Sequence, residues 1–348
     1  MSASGEGAVL LLTHAEGGGI ERFVQARLAA AGRPAWVLRP LGFGEGVVLQ
    51  RPGLPDRAFH APAPLRAALR GRLAEAEVHH LRSLPPWAKD LPLRLGVPYR
   101  VWIHDWTLLC PRGTFVTPAG SFCGEPALAA CAACTAGYER MPVAAPGGVA
   151  ALRGFAARLL GGAAAVHVAT ADAARRLRRH LPGLQPSLAA WEDAPAPQPP
   201  LPPPGRARIC VAGRLTVHKG FGVLLACAQD AAARALPLDF VLAGRSLDDA
   251  ALRATGRCAV TGEYAEGHGA ALLRLHRGSA GFLPSIWPET WCYALSVLHE
   301  ARLPLVAFDL GAQADRVRAL GGTLLPPGLP APRINDILLS RSAALSAA

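Results

Sequence analysis

The chain has 348 residues, which is long for one domain and enough for two domains that each bury a core. Hydrophobic residues make up 51% of the sequence, and this content excludes an intrinsically disordered protein. No apolar run approaches the ~18 residues of a membrane-spanning helix, and the first residues lack the basic region of a signal peptide, so we expect a cytoplasmic protein.

The net charge is +11, and only Lys89 and Lys219 among the 36 basic residues are lysines. A basic surplus is typical of proteins that contact nucleic acid or an anionic membrane, although a solvated basic surface has the same composition. The arginines are scattered apart from a run at 175–179 on a predicted helix, so we expect no nucleic-acid partner. Because the chain almost always uses arginine, a lysine is expected where a compact ammonium is needed.

Short apolar segments alternate with amphipathic ones, which is the pattern of parallel α/β sheets. In the first half, the predicted strands are Ala8–Leu12, Ala35–Leu38, Val78–Leu81, Arg100–Ile103, Ala164–Val168 and Ser187–Ala190. The predicted helices there follow Gly19 or span Leu65–Ala74, Gly154–Leu160 and Ala171–His180.

A proline-rich stretch at 194–205 interrupts this alternation and predicts a stiff, extended linker. It separates an N-terminal domain at 1–193 from a C-terminal domain at 206–348. In the second half, the predicted strands are Ala207–Ala212, Leu238–Ala243, Cys258–Thr261, Ala280–Leu283 and Pro304–Phe308. The predicted helices there are Phe221–Ala235, Leu247–Ala254, Ala270–Arg277, Tyr293–Ala301 and Ala312–Leu320.

The fold class that follows is α/β, with two doubly wound, Rossmann-like parallel sheets. We expect the two domains to face each other across a cleft, with ligands at the carboxyl ends of the strands. Because such folds carry many activities, the function has to be argued from the motifs.

Three glycines, Gly17 to Gly19, follow the first strand and open the first helix. Glycine lets a backbone approach a ligand closely, and the N–H groups at a helix start bind anions. An ordinary βα turn is the alternative interpretation, because neither GxGxxG nor GxxxxGK[ST] is present.

A polar pair, His104 and Asp105, stands at the carboxyl end of the strand Arg100–Ile103. A histidine there is able to donate to a phosphate or a hydroxyl, with Asp105 fixing its tautomer. The alternative is a surface histidine that binds no ligand.

Two cations, Arg214 and Lys219, follow the first strand of the second half on a predicted strand-to-helix loop. They are suited to clamping a diphosphate whose charge grows as a bond to it breaks. A solvated loop is the alternative, but the rarity of lysine in this chain favours the clamp.

An acid, Glu289, follows another apolar strand and stands at the start of a predicted helix. An acid at that position is also a common helix cap. The nearby Trp287, Trp291 and Tyr293 exceed what a cap needs and suit a rim that contacts sugars and bases.

Several segments together carry a family resemblance. GGGIE, HDW followed by CPR, VATADAARRLRRHLPG, WED, GRLTVHKG, VTGEY, SIWPETWCYALS and AFDLGAQADRV occur in this order. They resemble the retaining GT-B glycosyltransferases of family GT4, especially members from bacterial O-antigen and surface-polysaccharide assembly. The resemblance covers nearly the whole chain.

The resemblance implies which residues act. The catalytic set is His104, Arg214, Lys219 and Glu289. The donor-binding set is Gly18, Gly19, Arg214, Lys219, Gly262, Tyr264, Glu289 and Thr290. In these roles the two cations hold the donor diphosphate in place of a divalent metal, the acid contacts the transferred sugar, and the backbone at 262–264 meets the nucleobase.

The implied activity is metal-independent transfer of a sugar, with retention, from a nucleotide sugar to a saccharide or lipid-linked saccharide acceptor. The nucleotide sugar is a co-substrate, and no cofactor is required for catalysis. The family and the basic surplus together predict peripheral contact with the anionic inner face of the cytoplasmic membrane.

One position departs from the family pattern. A second glutamate usually stands eight residues after the first and contacts the ribose, but here that residue is Val297. Glu300 lies elsewhere on the predicted helix and is no simple substitute. Three outcomes stay open: the ribose is held otherwise, donor affinity is lower, or the protein is a sugar-nucleotide-binding partner with impaired catalysis. A sugar-nucleotide epimerase on the same fold is a further alternative, which the order of the motifs disfavours.

Four of the eight cysteines crowd one segment, an insert at 110–134. They are Cys110, Cys123, Cys131 and Cys134. In a reducing cytoplasm such a cluster predicts a structural tetrahedral zinc in preference to disulfides. Unligated thiols are the alternative.

Overall fold

The computed structural model describes residues 7–14, 16–42, 44–136, 147–192 and 207–346. These residues form two compact units. The first unit contains the described residues up to Phe115 and the segment Gly124–Glu192, and the second contains Val116–Cys123 and the described residues from 207 onward. The predicted linker at 194–205 lies outside the described residues.

The first unit is built on an eight-stranded sheet. Its strands are β1 (Ala8–Leu12), β2 (Ala35–Leu41), β3 (Gly46–Arg51), β4 (Leu54–Phe59), β5 (Leu73–Val78), β6 (Tyr99–Trp102), β7 (Ala165–Val168) and β8 (Ser187–Leu188). Its helices are α1 (Gly18–Ala29), α2 (Pro62–Leu69), α3 (Pro86–Lys89), α4 (Leu128–Thr135), α5 (Gly148–Gly161) and α6 (Ala171–His180), with a 3-10 turn at Pro92–Arg94.

The strand order of this sheet is β4-β3-β2-β1-β5-β6-β7-β8. The strands from β2 to β8 in this order are parallel, and β3 and β4 add an antiparallel hairpin at one edge. The chain passes from β1 to β2 on one side and later to β5 on the other side. The crevice beyond the ends of β1 and β5 is therefore the switch point of the sheet, where doubly wound folds bind ligands.

The second unit is built on a six-stranded sheet. Its strands are β9 (Ala207–Leu215), β10 (Leu238–Ser246), β11 (Cys258–Val260), β12 (Ala280–Leu283), β13 (Leu305–Phe308) and β14 (Thr323–Leu325). Its helices are α7 (Phe221–Ala233), α8 (Asp249–Ala254), α9 (Gly269–Leu275), α10 (Tyr293–Glu300), α11 (Gly311–Ala319) and α12 (Ala331–Ser346). No helix in the described parts of either unit is long and apolar enough to cross a membrane.

All pairings in the second sheet are parallel, and the strand order is β11-β10-β9-β12-β13-β14. Side chains alternate between the two faces of each strand. Along β9, Ile209 and Val211 pack in a core with α7 and α12, whereas Cys210 and Ala212 pack in a second core with α9 and α10. Helices therefore cover both faces, and the switch point lies between β9 and β12.

The structure corrects several predicted bounds. β5 and α2 each begin earlier along the chain than the predicted Val78–Leu81 and Leu65–Ala74. The sequence prediction did not recognise β5 as a strand because β5 contains two glutamates, Glu75 and Glu77. Both form ion pairs with arginines, so the strand holds these charges without leaving them unpaired.

Candidate functional site

Two loops meet at the switch point of the second unit. One follows β9 and carries Lys219, and the other follows β12 and carries Glu289. The Nζ of Lys219 lies 3.4 Å from Oε2 of Glu289. The two residues lie 70 positions apart in sequence, so the sheet topology alone brings them together.

The carboxylate of Glu289 is buried, whereas about a third of the Lys219 side chain is exposed. Burial raises the pKa of Glu289, but the ammonium of Lys219 and the hydroxyl of Ser285, which donates to Oε1 at 2.5 Å, lower it more. Burial lowers the pKa of Lys219, but the carboxylate of Glu289 raises it more. The pKa of Glu289 is lowered overall and the pKa of Lys219 is raised overall, so both side chains are charged at neutral pH.

Gln313 fixes the turn that presents Glu289. Its fully buried side chain lies on α11, donates from Nε2 to the carbonyl of Trp287 at 2.9 Å, and accepts from the N–H of Glu289 at 3.2 Å. The N–H of Ala312 donates to the carbonyl of Glu289 at 2.8 Å. The backbone on both sides of the acid is thus held by the start of one helix.

Two glycines allow this close approach. Gly220 has a φ of +89°, and a Cβ there would overlap the carbonyl oxygen of Pro284. Gly311 has a φ of +69°, and a Cβ there would lie 2.6 Å from the nitrogen of Glu289. Neither position accepts a side chain without moving one loop away from the other.

α10 begins at Tyr293, as the predicted helix Tyr293–Ala301 does, but the expected place of Glu289 at that start is corrected. The acid lies four residues before this start. Cys292 precedes it with a φ of +74°, a conformation that favours glycine. The guanidinium of Arg316 lies 3.7 Å from the ring of Trp291 and donates to the carbonyl of Cys292 at 2.9 Å.

Arg214 lies within β9 and not on the following loop, which corrects the sequence prediction. Its side chain is exposed, and it stands in register with Arg245 of β10. The guanidinium of Arg245 lies 3.5 Å from Glu263 in the loop after β11. The structure therefore places Arg214 at the same edge of the sheet as Lys219 and Glu289.

The predicted base-contacting loop and the position of the missing second acid lie side by side. Gly262 donates to the carbonyl of Gly244 at 3.1 Å, which ties its loop to the end of β10. A Cβ on Gly269 would lie 2.6 Å from the ring of Tyr264 and 2.8 Å from Cγ1 of Val297. Val297 thus belongs to an apolar contact with Tyr264 and α9. Thr290, also in the predicted donor set, is buried.

The switch point of the first unit carries four histidines. His14 follows β1, His79 and His80 follow β5, and His104 follows β6. The rings of His14 and His80 make an edge contact, with centroids 5.0 Å apart. Burial, followed by the charge of His80, lowers the pKa of His14 to about 4.

Asp105 does not pair with its neighbour, contrary to the sequence prediction. Its Oδ2 lies 3.0 Å from Nε2 of His80, and its Oδ1 accepts from the N–H and the hydroxyl of Thr107. Burial raises the pKa of Asp105, but His80 and Thr107 lower it to about 2. His104 instead contacts His79, whose Nδ1 lies 3.2 Å from Nε2 of His104.

The loop that carries Gly18 and Gly19 begins α1 as predicted, with Gly18 as the first helical residue. Gly17 and Gly18 have φ values of +72° and +77°. A Cβ on either would meet no atom of the described residues within 4 Å. Glycine is therefore required here by the backbone conformation and not by crowding.

The four clustered cysteines do not form a metal-ligand set in this structure. No group of three or more His, Cys, Asp or Glu side chains among the described residues is arranged to hold a metal ion. Cys131 instead accepts from Arg153 at 3.3 Å and donates to the carbonyl of Pro126 at 3.5 Å. The zinc site stays a prediction from the sequence.

The sequence prediction missed several residues that the structure places at the two switch points. They are His14, Glu77, His79, His80, Ser285 and Gln313. His14 was detectable, because it lies two residues after the predicted strand Ala8–Leu12, whereas His79 and His80 fell inside the predicted strand Val78–Leu81. Gln313 carries no signal of its own, since its role depends on contacts between two distant segments.

This chain resembles known proteins in its fold and not detectably in its sequence. No protein-family model matches it, and no curated protein matches it significantly. Solved structures do match. HepE from Anabaena in complex with UDP aligns with a TM-score of 0.61 and 13% identity, over 98% of this chain and 94% of that chain.

Two further structures show the same likeness. Sucrose-phosphate synthase from Thermosynechococcus elongatus aligns with a TM-score of 0.66 and 14% identity, over 98% of this chain and 91% of that chain. The pneumococcal O-GlcNAc transferase GtfA in complex with UDP and GlcNAc aligns with a TM-score of 0.52 and 13% identity, over 86% of this chain and 55% of that chain. At these identities the likeness shows the fold alone. The prediction of an α/β fold with two doubly wound sheets, as in GT-B proteins, is confirmed.

Proposed function

We propose that the protein is a glycosyltransferase that moves a sugar from a nucleotide-sugar donor to a saccharide or lipid-linked saccharide acceptor. The observation that carries this proposal is the charged pair of Lys219 and Glu289 at the switch point of the second unit, 3.4 Å apart. Glycosyl transfer releases a nucleoside diphosphate, whose negative charge grows as the bond to the sugar breaks. An ammonium at a strand end is suited to that charge, and an ionised acid accepts hydrogen bonds from sugar hydroxyls.

The predicted roles extend this pair. Arg214 joins Lys219 on the diphosphate, which is consistent with its exposed position at the end of β9. The loop from Gly262 to Tyr264 contacts the nucleobase, with Thr290 beside the sugar. In the first unit, Gly18, Gly19 and His104 serve the sugar and the acceptor. The complexes of HepE and GtfA with UDP make uridine diphosphate the first nucleotide to test.

The finer parts of the proposal come from the sequence resemblance to family GT4. They are retention at the anomeric carbon, independence from a divalent metal, an acceptor in O-antigen or surface-polysaccharide assembly, and peripheral contact with the inner face of the cytoplasmic membrane. Three of these four parts have a direct measurement. Anomeric configuration is read from the NMR coupling constant of the product, metal dependence from activity in EDTA, and membrane contact from sedimentation with anionic liposomes at low salt.

The decisive experiment is a thermal-shift screen with nucleoside diphosphates and their sugars, followed by transfer assays with the stabilising donors. A ligand at 100 times its dissociation constant adds about 2.7 kcal/mol of stability, which the screen detects. Glu289→Gln keeps the shape of the acid and is expected to abolish turnover. If no nucleotide sugar stabilises the protein or is turned over, the proposal is wrong.

A second candidate function is a non-catalytic, sugar-nucleotide-binding partner of another transferase. The apolar contact of Val297 with Tyr264 and Gly269 favours it, because the family places a ribose-binding acid at this position. Donor binding without turnover, together with a Glu289→Ala variant that binds as the wild type does, would favour this candidate over the enzyme.

A further inference from the structure

The turn at 289–292, between Glu289 and the start of α10, has an unfavourable backbone conformation. Cys292 ends this turn with a φ of +74°, in the region that favours glycine. A residue other than glycine stays in this conformation only where the surrounding contacts impose it. The contacts of the turn therefore show what holds it.

Arg316 on α11 makes several of these contacts. Its Nη1 donates to the carbonyl of Trp291 at 3.1 Å and to the carbonyl of Cys292 at 2.9 Å. Its Nη2 donates to the hydroxyl of Ser296 at 2.8 Å. Its Cζ also lies over the ring of Trp291, 3.7 Å from the centroid. Arg316 thus connects α11 both to the end of the turn and to α10.

The turn lies between two parts of the candidate donor site. Cys292 follows Glu289 by three residues, and its thiol is close enough to Glu289 and Lys219 for both charges to affect its pKa. After the turn, α10 packs against the end of β9, where a Cβ on Gly213 would lie 3.9 Å from Cβ of Ala294. A movement of the turn would therefore displace both the acid and the contact between α10 and β9.

We propose that Arg316 is a positioning residue that keeps Glu289 in place by holding the turn that follows it. Gln313, three residues earlier on α11, fixes the backbone at Glu289 itself. Residues three positions apart lie on one face of a helix, so α11 presents both side chains to the same loop. Resting on the proposed function, this adds Arg316 to the residues on which turnover depends, through the backbone at 291–292 and not through contact with the sugar.

Burial of the Cys292 side chain is the alternative cause of this conformation. Cys292 packs with Leu295, Leu298 and other residues in the core that α9 and α10 form on the second sheet. If this packing alone held the turn, removal of the Arg316 side chain would leave the turn closed. The two causes therefore predict different behaviour of the turn when Arg316 is replaced.

Thiol labelling of the full chain with iodoacetamide tests the proposal without any substrate. Cys292 is 4% exposed, and burial raises the pKa of its thiol to about 12, so it should react slowly in the wild type. Arg316→Met removes the donors and keeps an unbranched side chain. We expect it to accelerate labelling of Cys292 about tenfold or more, because the turn opens more often without these hydrogen bonds. Unchanged labelling of Cys292 would overturn the proposal.

Two controls separate a local opening from a general loss of stability. Cys227 on α7 is also buried, with its pKa raised to about 12, and its labelling should not change in Arg316→Met. Equal acceleration at both thiols would mean that the variant loosens the whole unit, which also overturns the proposal. Arg318→Met is the matched variant on α11, because Arg318 pairs with Asp309 and Asp315 at the surface. It should leave both thiols as in the wild type.

Arg316→Lys gives the same test if Arg316→Met does not fold. An ammonium keeps the charge but lacks the planar fork that reaches several acceptors at once. We expect a smaller acceleration of labelling, again at Cys292 and not at Cys227. The same two outcomes, no change or an equal change at both thiols, count against the proposal.

A second substitution connects the turn to activity. With a nucleotide sugar that the protein turns over, Arg316→Met should lower kcat about 10–100-fold and change KM little, as expected for a displaced Glu289. Glycine adopts a φ of +74° without strain, so adding Cys292→Gly should let the turn keep its conformation and recover about tenfold in kcat.

This rescue distinguishes positioning from stability. Removal of a buried thiol from the core is itself destabilising, so Cys292→Gly cannot restore activity by stabilising the unit. A loss of kcat that Cys292→Gly does not reduce would refute the role of the turn. If no nucleotide sugar reacts at all, the proposed function fails, and thiol labelling still decides whether Arg316 holds the turn.

Discussion

The buried amide of Gln313 holds the turn that presents Glu289, so Gln313→Ala is expected to lower both the stability of the second unit and its activity. The change removes the group that accepts from the N–H of Glu289 and donates to the carbonyl of Trp287. Both backbone groups lie in a buried turn, so they lose a partner that water does not readily replace. The side chains of α11 that pack in the core, such as Val317, are left in place.

The magnitude follows from the number of groups left unpaired. A buried donor or acceptor without a partner costs about 1–3 kcal/mol, so the two together cost about 4 kcal/mol. For a domain of this size, 1 kcal/mol shifts Tm by about 2–4 °C, and the transition of the second unit should fall by about 8–16 °C. The freed turn also lets Glu289 move. Since a misplacement of about 1 Å costs up to about 10²-fold, we expect kcat/KM to fall by about 10–100-fold.

Asn335→Ala is the matched control for this prediction. Asn335 is also a fully buried amide of the second unit, and it donates to the carbonyl of Cys227 at 2.9 Å and to Asp230 at 2.8 Å. It connects α12 to α7, away from Glu289. We expect Asn335→Ala to destabilise the unit by about 2 kcal/mol and to change kcat/KM less than about twofold.

The measurements are urea denaturation, differential scanning calorimetry and steady-state transfer kinetics, all below the lowered Tm. The reasoning would be refuted if Gln313→Ala left both stability and kcat/KM at wild-type values. It would also be refuted if the two variants lost stability and activity in the same proportion. In that case the amide would act on the unit as a whole and not on Glu289.

Three further predictions concern single side chains. Lys219→Ala should lower kcat about 10²–10³-fold in transfer assays, whereas Lys89→Ala, which removes the only other lysine, should not. The lowered pKa of His14 means that the folded state favours the neutral imidazole, so its contribution to stability is complete above pH 6.5 and is lost as the pH falls toward 4. In urea denaturation over this pH range, the free energy of unfolding of the wild type should fall by about 3 kcal/mol more than that of His14→Asn. Val297→Glu should lower the dissociation constant of the donor in calorimetry if an acid at this position binds the ribose. It should raise that constant if the apolar contact with Tyr264 and α9 is required for binding.

Much of the fold was predictable because parallel sheets impose a simple pattern. β1 and β12 are continuous apolar segments whose residues are all buried, and their predicted bounds match the structure. The hairpin of β3 and β4 was missed because β4 is an edge strand that is exposed over most of its length. Its residues face water and therefore carry no apolar alternation.

The candidate site was predictable only where a residue belongs to a strand end or a motif. Lys219 and Glu289 met both conditions, and the structure brings them into contact. His79, which contacts His104, belongs to none of the quoted motifs and follows a different strand, whereas Asp105 is the neighbour of His104 in sequence. The side chain that orients a strand-end residue is chosen by the register between strands, which a single sequence does not specify.

The buried charge of Glu289 in the second unit is relevant to whether the site is catalytic. Holding an ionised carboxylate out of water costs several kcal/mol unless cations and donors compensate for it. Glu289 receives that compensation from Lys219 and Ser285, and Gln313 and Gly311 fix its backbone. A site that only packed these loops together would be more stable with an apolar residue in place of the acid. At position 297 the chain has such an apolar residue, Val297, in contact with Tyr264. The buried acid is therefore kept at Glu289, which would meet the reacting sugar, and is absent from position 297, which would meet the ribose. This contrast favours an active transferase over a binding partner, and the Glu289→Gln and Val297→Glu variants test the two halves of the contrast separately.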